Sequence, residues 1–358
     1  MTESPRASKS RGRGASAFGA QNRNRLIDAY FAKLGPKELK PSRAWTHVYR
    51  LLLWADRTTG LAHCYESDKC QPGKPWYGRS LAFHDWVAKS LGSRPKDVAE
   101  EVDWLFRRVT DELAQEVLRN AEKLVTAAVR QRRPYEGRNF PRPGEDPGLI
   151  HIVREVLGEH LGREPSAEQW QALVQRIREY LAVENKRKNL VGEGFEDVLS
   201  QVVRRTVGNP AIELRTRALL HELPGFGREK SGEKPNKVDV AVLGPSLRTL
   251  VTAKWSVRAD REKQFVTDFA DYVGAESARK PFEYVFVTNE FDPARLMRAC
   301  ELLSGKNRLF DHVVHINTDG IRAAYSGKSD DTVKRVLELM EEGRLIGLDK
   351  WIGSLKGA

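Results

Sequence analysis

The sequence predicts an α/β (α+β) protein, with a mostly helical N-terminal domain followed by a domain built on a mixed sheet flanked by helices. Three observations carry this expectation. Apolar residues recur at helical spacing from Asn22 to Arg133. Beyond Gly194, short apolar runs alternate with amphipathic segments, the pattern of a sheet layered with helices. Between the two, residues 132–148 hold Pro134, Pro141, Pro143 and Pro147 together with Gly137, Gly144 and Gly148, a composition that breaks regular structure.

The first segment, 1–21, is rich in Ser, Arg and Gly and lacks the apolar core of a secretory signal, so it reads as a disordered basic arm. A helical domain is expected over 22–131. Leu26, Ile27, Tyr30 and Phe31 share one helical face, as do Trp45, Val48, Leu51 and Leu52. Val98 to Gln131 carries a long apolar stripe that includes Val102, Leu105, Phe106 and Val109. Residues 132–148 are the expected linker, and 149–358 the second domain. That domain opens with helices near Leu149–Leu161 and Ser166–Asn185. Ser166 and Gln169 have the spacing of a capping box, and Lys186, Arg187 and Lys188 suit a helix C-terminus. A helix is expected over Gly194–Val207. Strands are expected at Val238–Leu243 and Leu250–Trp255, joined through Gly244-Pro245-Ser246, and again at Tyr284–Thr288 and His312–Ile316. Helices over Asp260–Val273, Pro293–Leu303 and Thr332–Met340 complete the pattern.

Lysine and arginine number 60 against 49 aspartates and glutamates, a net charge of +11. Such an excess favours a polyanionic partner, because each neutralised phosphate releases counterions. No run of 18 apolar residues is present, so no membrane span is expected. Three cysteines do not make a disulfide framework, and a reducing cytoplasm is the expected compartment. His63, Cys64 and Cys70 lack zinc-knuckle spacing. The absence of a Walker loop argues against ATP-driven work.

The chemistry concentrates in Lys254-Trp-Ser-Val-Arg-Ala-Asp-Arg261. A strand delivers a lysine at its end, and the next helix opens with Arg258, Asp260 and Arg261. Asp239 lies in the preceding strand, and the hairpin connection brings it to the same end of the sheet as Lys254. Phosphodiester hydrolysis needs a divalent cation held by carboxylates, an activated water and neutralisation of developing charge. Asp239 and Lys254, with the cluster that follows, suit that set, although either alone reads more simply as a solvated strand residue or an edge lysine. Arg donates bidentately to guanine and Asp accepts from cytosine N4, so Arg258, Asp260 and Arg261 suit base reading at a G·C-rich site. The local alternative makes them first-turn charges of a helix. On helical geometry Arg261, Gln264, Asp268 and Asp271 share one face, while Phe265, Phe269, Tyr272 and Val273 take the other. By position alone Asp268 is most simply a solvent-facing helix acid, like Asp271.

Thr252-Ala-Lys254-Trp255-Ser256 followed by Arg258-Ala-Asp260-Arg261 resembles the PD-(D/E)xK nuclease superfamily. Within it, the match is to restriction endonucleases of the NgoMIV-, SgrAI- and BsaWI-like group, which recognise a CCGG core. The resemblance is specific over about 237–273, loose over 190–345, and does not reach the helical domain. It implies a restriction-endonuclease-like catalytic domain on the mixed sheet. In that group Ser or Thr replaces the strand acid, as Thr252 does here. The acid has moved to the next helix, fourteen residues past the lysine, where this chain has Asp268 in place of the usual Glu. The resemblance thus assigns catalysis to Asp239, Lys254, Asp268 and Thr252, and metal binding to Asp239 and Asp268. Glu196, in a Gly-Phe-Glu segment, becomes a third carboxylate candidate; its alternative is a first-turn helix acid. Val238 stands where the motif has Pro, and the 239–254 gap is short for the group.

The implied activity is that of a type II restriction endonuclease. It would use Mg²⁺, with Mn²⁺ as a substitute, and cut double-stranded DNA at a palindrome with a CCGG core to leave four-base 5′ overhangs. A homodimer or higher oligomer would act on the two half-sites, beside a cognate cytosine methyltransferase. Two alternatives stay open: a less specific repair or defence nuclease of the same superfamily, and a non-catalytic DNA-binding protein.

Overall fold

The computed structural model describes residues 17–56, 58–64, 68–138, 146–227, 236–246, 248–257 and 261–356. In chain order these form α1 (Ala20–Phe31), α2 (Ala44–Leu52), a small hairpin of β1 (Ala55–Asp56) and β2 (Leu61–Ala62), α3 (Tyr77–Leu91), α4 (Val98–Glu101) and α5 (Trp104–Arg132). Next come α6 (Pro147–Leu157), α7 (Ala167–Val207), β3 (Glu213–Leu219), β4 (Lys237–Leu243), β5 (Arg248–Lys254), α8 (Arg261–Ala275), β6 (Glu283–Thr288) and α9 (Pro293–Glu301). A second hairpin of β7 (Leu303–Ser304) and β8 (Asn307–Arg308) leads to β9 (His312–His315), α10 (Thr318–Ala324), α11 (Asp331–Glu341), β10 (Leu345–Gly347) and α12 (Leu348–Leu355).

Six strands build one mixed sheet in the order β10-β9-β6-β5-β4-β3. The β3-β4-β5 meander is antiparallel, and β5, β6, β9 and β10 run parallel. The expected mixed α/β architecture is present. The central strands are fully buried: Leu250, Tyr284, Val285, Phe286, Val287, Val313 and Val314 are all at most 1 % exposed. Such runs of β-branched and aromatic residues suit strands covered on both faces.

The chain groups into two compact units, 1–107 with 191–358, and 108–190. This grouping differs from a boundary at 132–148. The first unit unites the N-terminal helices with the sheet because their aromatic residues are buried against its loops. Tyr49 Oη donates to Asn289 Oδ1 at 2.9 Å, and the Phe83 and Phe291 rings meet at 4.9 Å. Gly320 in α10 sits so close to Phe83 and Trp86 that a Cβ there would approach their rings at 3.2–3.3 Å. Residues 1–16 of the expected arm lie outside the described residues, whereas Ala17 is buried and α1 already starts at Ala20. The second unit is helical. Within it Asp146 caps α6 by accepting from the Leu149 N–H at 3.1 Å, and Arg154 pairs with Glu164 at 2.6 Å. Residues 139–145 of the expected linker lie outside the described residues.

Several elements depart from the periodicity reading. The stripe over 98–131 is two helices, broken at Val102-Asp103, where Asp103 adopts φ 62°. The helices expected at 166–185 and 194–207 are one helix of 41 residues. Gly192 and Gly194 do not stop it: each glycine costs about 1 kcal/mol, less than burial of Phe195, Val198, Leu199, Val202 and Val203 returns. The capping box at its start is present, with Ser166 N–H donating to Gln169 Oε1 at 2.8 Å and Gln169 N–H to Ser166 Oγ at 3.3 Å. Strand β3 is an addition. Its alternating Leu214, Thr216 and Ala218 are interleaved with Glu213, Arg215 and Arg217, the charge pattern of an edge strand.

Candidate active site

Asp239 enters the sheet on β4 at the end where β5 terminates. The β4–β5 ladder closes at Val240↔Val251, one residue short of Asp239. Beyond that point the Ala253 N–H donates to the Asp239 side chain instead, reaching Oδ2 at 2.9 Å. Lys254 Nζ donates to the same oxygen at 2.6 Å, and the buried Thr252 hydroxyl donates to it at 3.3 Å. The two charged side chains are partly covered, 25 % exposed for Lys254 and 19 % for Asp239. The structure therefore brings together Asp239, Thr252 and Lys254 as their spacing suggests.

Two further carboxylates lie near enough for the charges of this pair to act on them. Asp268, on the second turn of α8, is half-buried, whereas Asp271 is exposed and accepts from Asn236 Nδ2 at 3.0 Å. Burial raises the Asp268 pKa, and the negative charge of Asp239 raises it further, to about 6. Glu196 is raised to about 7 by burial and then by Asp239. Glu196 lies deep inside α7 and not in a first turn, so a helix-terminal charge role does not apply to it. Its Oε2 receives Arg217 Nη1 at 3.0 Å. The apolar side of α8 holds Phe265 and Tyr272 in the core. Val273, expected there too, is 53 % exposed because the helix ends two residues later.

The exit of β5 is held by a residue the motif reading did not single out. Glu290, 2 % exposed, follows β6 and accepts from the Val257 N–H at 2.8 Å. Its other oxygen accepts from the N–H groups of Phe291 and Asp292 at 2.9 and 2.8 Å. Trp255 is fixed beside it, its carbonyl accepting from Asn289 N–H at 3.0 Å and its ring meeting Phe195 edge-on at 5.4 Å. Arg258 and Asp260 lie outside the described residues. Arg261 opens α8 and donates to Gln264 Oε1.

Among the described residues no three His, Cys, Asp or Glu side chains form a ready metal cage. The donor set nevertheless suits a hard cation. Mg²⁺ takes only one or two protein carboxylates and keeps several waters. Asp239, whose described bonds all fall on Oδ2, and Asp268, raised by burial and then by repulsion from it, offer two such oxygens whose charge a cation would balance. Cys64 and Cys70 are buried. No helix among the described residues is long and apolar enough to cross a membrane.

No family model matches the chain, and no curated protein matches its sequence. Among solved structures it is similar to the restriction endonuclease PspGI in a complex with substrate DNA, at 12 % identity and a TM-score of 0.37, over 94 % of this chain and 93 % of that one.

Proposed function

We propose that this protein is a Mg²⁺-dependent, site-specific endonuclease of double-stranded DNA, a type II restriction endonuclease of the PD-(D/E)xK superfamily. The observation that carries the reading is Lys254 bonded to Asp239 at the end of the sheet, beside two carboxyls, Asp268 and Glu196, that are each pushed up by burial and then by the charge of Asp239. Burying such a set costs stability and is characteristic of a site built for a cation or a developing charge.

Asp239 and Asp268 would hold Mg²⁺, which when bound polarises the phosphate and lowers the pKa of a water. Lys254, leaving Asp239 Oδ2 for the phosphate, orients the attacking water and neutralises charge that grows in the transition state. Thr252 and the Ala253 N–H keep Asp239 in place when Lys254 turns away. Glu196, with its pKa near 7, is suited to take or give a proton at neutral pH. The Arg258-Asp260-Arg261 cluster reads a CCGG core. Two copies address the palindrome, since one protomer contacts one half-site. A cytosine methyltransferase would protect the host DNA.

The test is plasmid cleavage in Mg²⁺ and in EDTA, followed by run-off sequencing of the products. Discrete fragments that need Mg²⁺ and begin at CCGG with four-base 5′ overhangs are expected. Random degradation would mean a less specific nuclease, and an intact plasmid under all conditions would remove the catalytic reading.

A further inference from the structure

We propose that Arg217 is a positioning residue of this site, a strained strand residue whose guanidinium holds Glu196 within reach of Asp239 and ties it, through Asp197, to helix α1. The inference rests on the hydrolytic reading of Asp239 and Lys254.

Arg217 lies in the middle of β3, where the chain should be extended. It adopts φ 53° instead, in the left-handed region that side chains with a Cβ rarely enter. The ladder shows the consequence. Thr216 pairs with Val240 and Ala218 with Val238, but Arg217, opposite Asp239, is left out of the register. A sheet gives up a regular position only when something overdetermines the distortion. Here the compensation is on the side chain. Arg217 Nη1 reaches Glu196 Oε2 at 3.0 Å and the Glu193 carbonyl at 3.3 Å, and Nη2 bonds Asp197 Oδ1.

Asp197 anchors the assembly. Its side chain is 2 % exposed, and its second oxygen accepts from Arg23 Nε at 2.9 Å. Arg23, on α1 and itself 3 % exposed, is held in turn by the Phe18 carbonyl at 2.6 Å. A buried carboxylate between two guanidiniums is costly to disturb, so it fixes where Arg217 sits. Arg217 then has one fork left for Glu196. Bidentate guanidinium geometry is directional, and lysine does not reproduce it. Glu196 is thus aimed from a rigid base, as a general acid or base must be.

The experiment uses the full-length protein and the CCGG plasmid assay, with Lys254→Ala as a control. Arg217→Gly accepts the left-handed backbone without strain, so it should melt above Arg217→Ala. It should cleave about a hundredfold more slowly than wild type. Because the Arg217 side chain is 31 % exposed, added methylguanidine should enter the gap and restore cleavage. Arg217→Lys should fold and still lose about tenfold or more. Adding either change to Glu196→Gln should cost nothing further, because both act through one group. Wild-type cleavage by Arg217→Lys, or full additivity with Glu196→Gln, overturns the inference. So does Arg217→Ala melting as high as Arg217→Gly. Should Arg217→Gly not fold, Arg217→Lys and its cycle with Glu196→Gln decide alone. An inactive Lys254→Ala beside a fully active Arg217→Lys removes the positioning role and leaves the site reading intact. A fully active Lys254→Ala removes both.

Discussion

Asp239 and Lys254 share one oxygen: the lysine ammonium sits 2.6 Å from Asp239 Oδ2, where the Ala253 N–H also donates. The aspartate is therefore held by its neighbour's backbone whether or not the lysine stays. This separates the two roles. Lys254→Ala should leave Asp239 in place, bind DNA and fail to cut. Losing one group that acts on transition-state charge costs roughly 10²–10³ in rate. Single-turnover cleavage in Mg²⁺ beside binding in Ca²⁺ checks this, and wild-type turnover by the variant would refute it.

Asp268 and Asp271 are three residues apart on α8 but differ in environment. Asp268→Ala should be inactive in Mg²⁺, and Asp271→Ala near wild type. The raised pKa adds a stability prediction. A carboxyl whose pKa goes up on folding favours the folded state most when protonated. That contribution is lost as pH rises from 3.8 through about 6. Above pH 7 ionised Asp268 is a liability, so Asp268→Asn should stabilise the protein at pH 8 and not at pH 4. With solvent screening the gain is roughly 1 kcal/mol, or about 2–4 °C in Tm. Mg²⁺ should raise the wild-type Tm at pH 8 and EDTA reverse it, while Asp268→Asn responds less. Equal melting of the two proteins at pH 8 would show that ionised Asp268 carries no penalty from burial or from Asp239.

Glu290 makes a different claim, because it touches neither Asp239 nor Lys254. Glu290→Gln puts an amide where both oxygens accept, so at least one buried N–H is left facing a donor. The cost is about 1–3 kcal/mol. The Val257 amide should then exchange with solvent faster, and cleavage should fall with it, because that bond holds the exit of β5 three residues beyond Lys254. Hydrogen exchange resolved at 255–257 decides the matter; unchanged exchange would assign Glu290 to holding the Phe291-Asp292 turn alone.

The strands that carry Asp239 and Lys254 were legible in the sequence because period-2 and continuous apolar runs survive in buried strands. Helix α8 was legible because Phe265 and Tyr272 repeat at seven residues. Periodicity could not separate Asp268 from Asp271, since both fall on the polar face and only tertiary packing covers one of them. Strand β3 went unread because its charged residues mask the alternation. Arg217 carries no local signal: its partners are 20 and 21 residues away on α7, and the backbone angle that marks it exists only in three dimensions. The continuity of α7 through Gly192 was lost for a related reason, because propensity at two glycines is outweighed by burial further along the helix.

Arg258, Asp260 and Arg261 should govern specificity more than chemistry. Arg261 opens the helix that carries Asp268, so under the proposed function base reading and metal binding would share one element. Correct bases would pin the start of α8 in the major groove and hold Asp268 against Asp239. A wrong base would leave a buried guanidinium or carboxylate unpaired, a penalty that disfavours the arrangement needed for cutting. Asp260→Ala should therefore fold normally and lose preference for CCGG over single-base variants, each good contact being worth about 1–3 kcal/mol of discrimination. Competitive binding of CCGG and mismatched duplexes in Ca²⁺ measures it, at one salt concentration because the phosphate contribution varies with salt. If the variant discriminates as well as wild type, the cluster serves the helix terminus and the bases are read elsewhere.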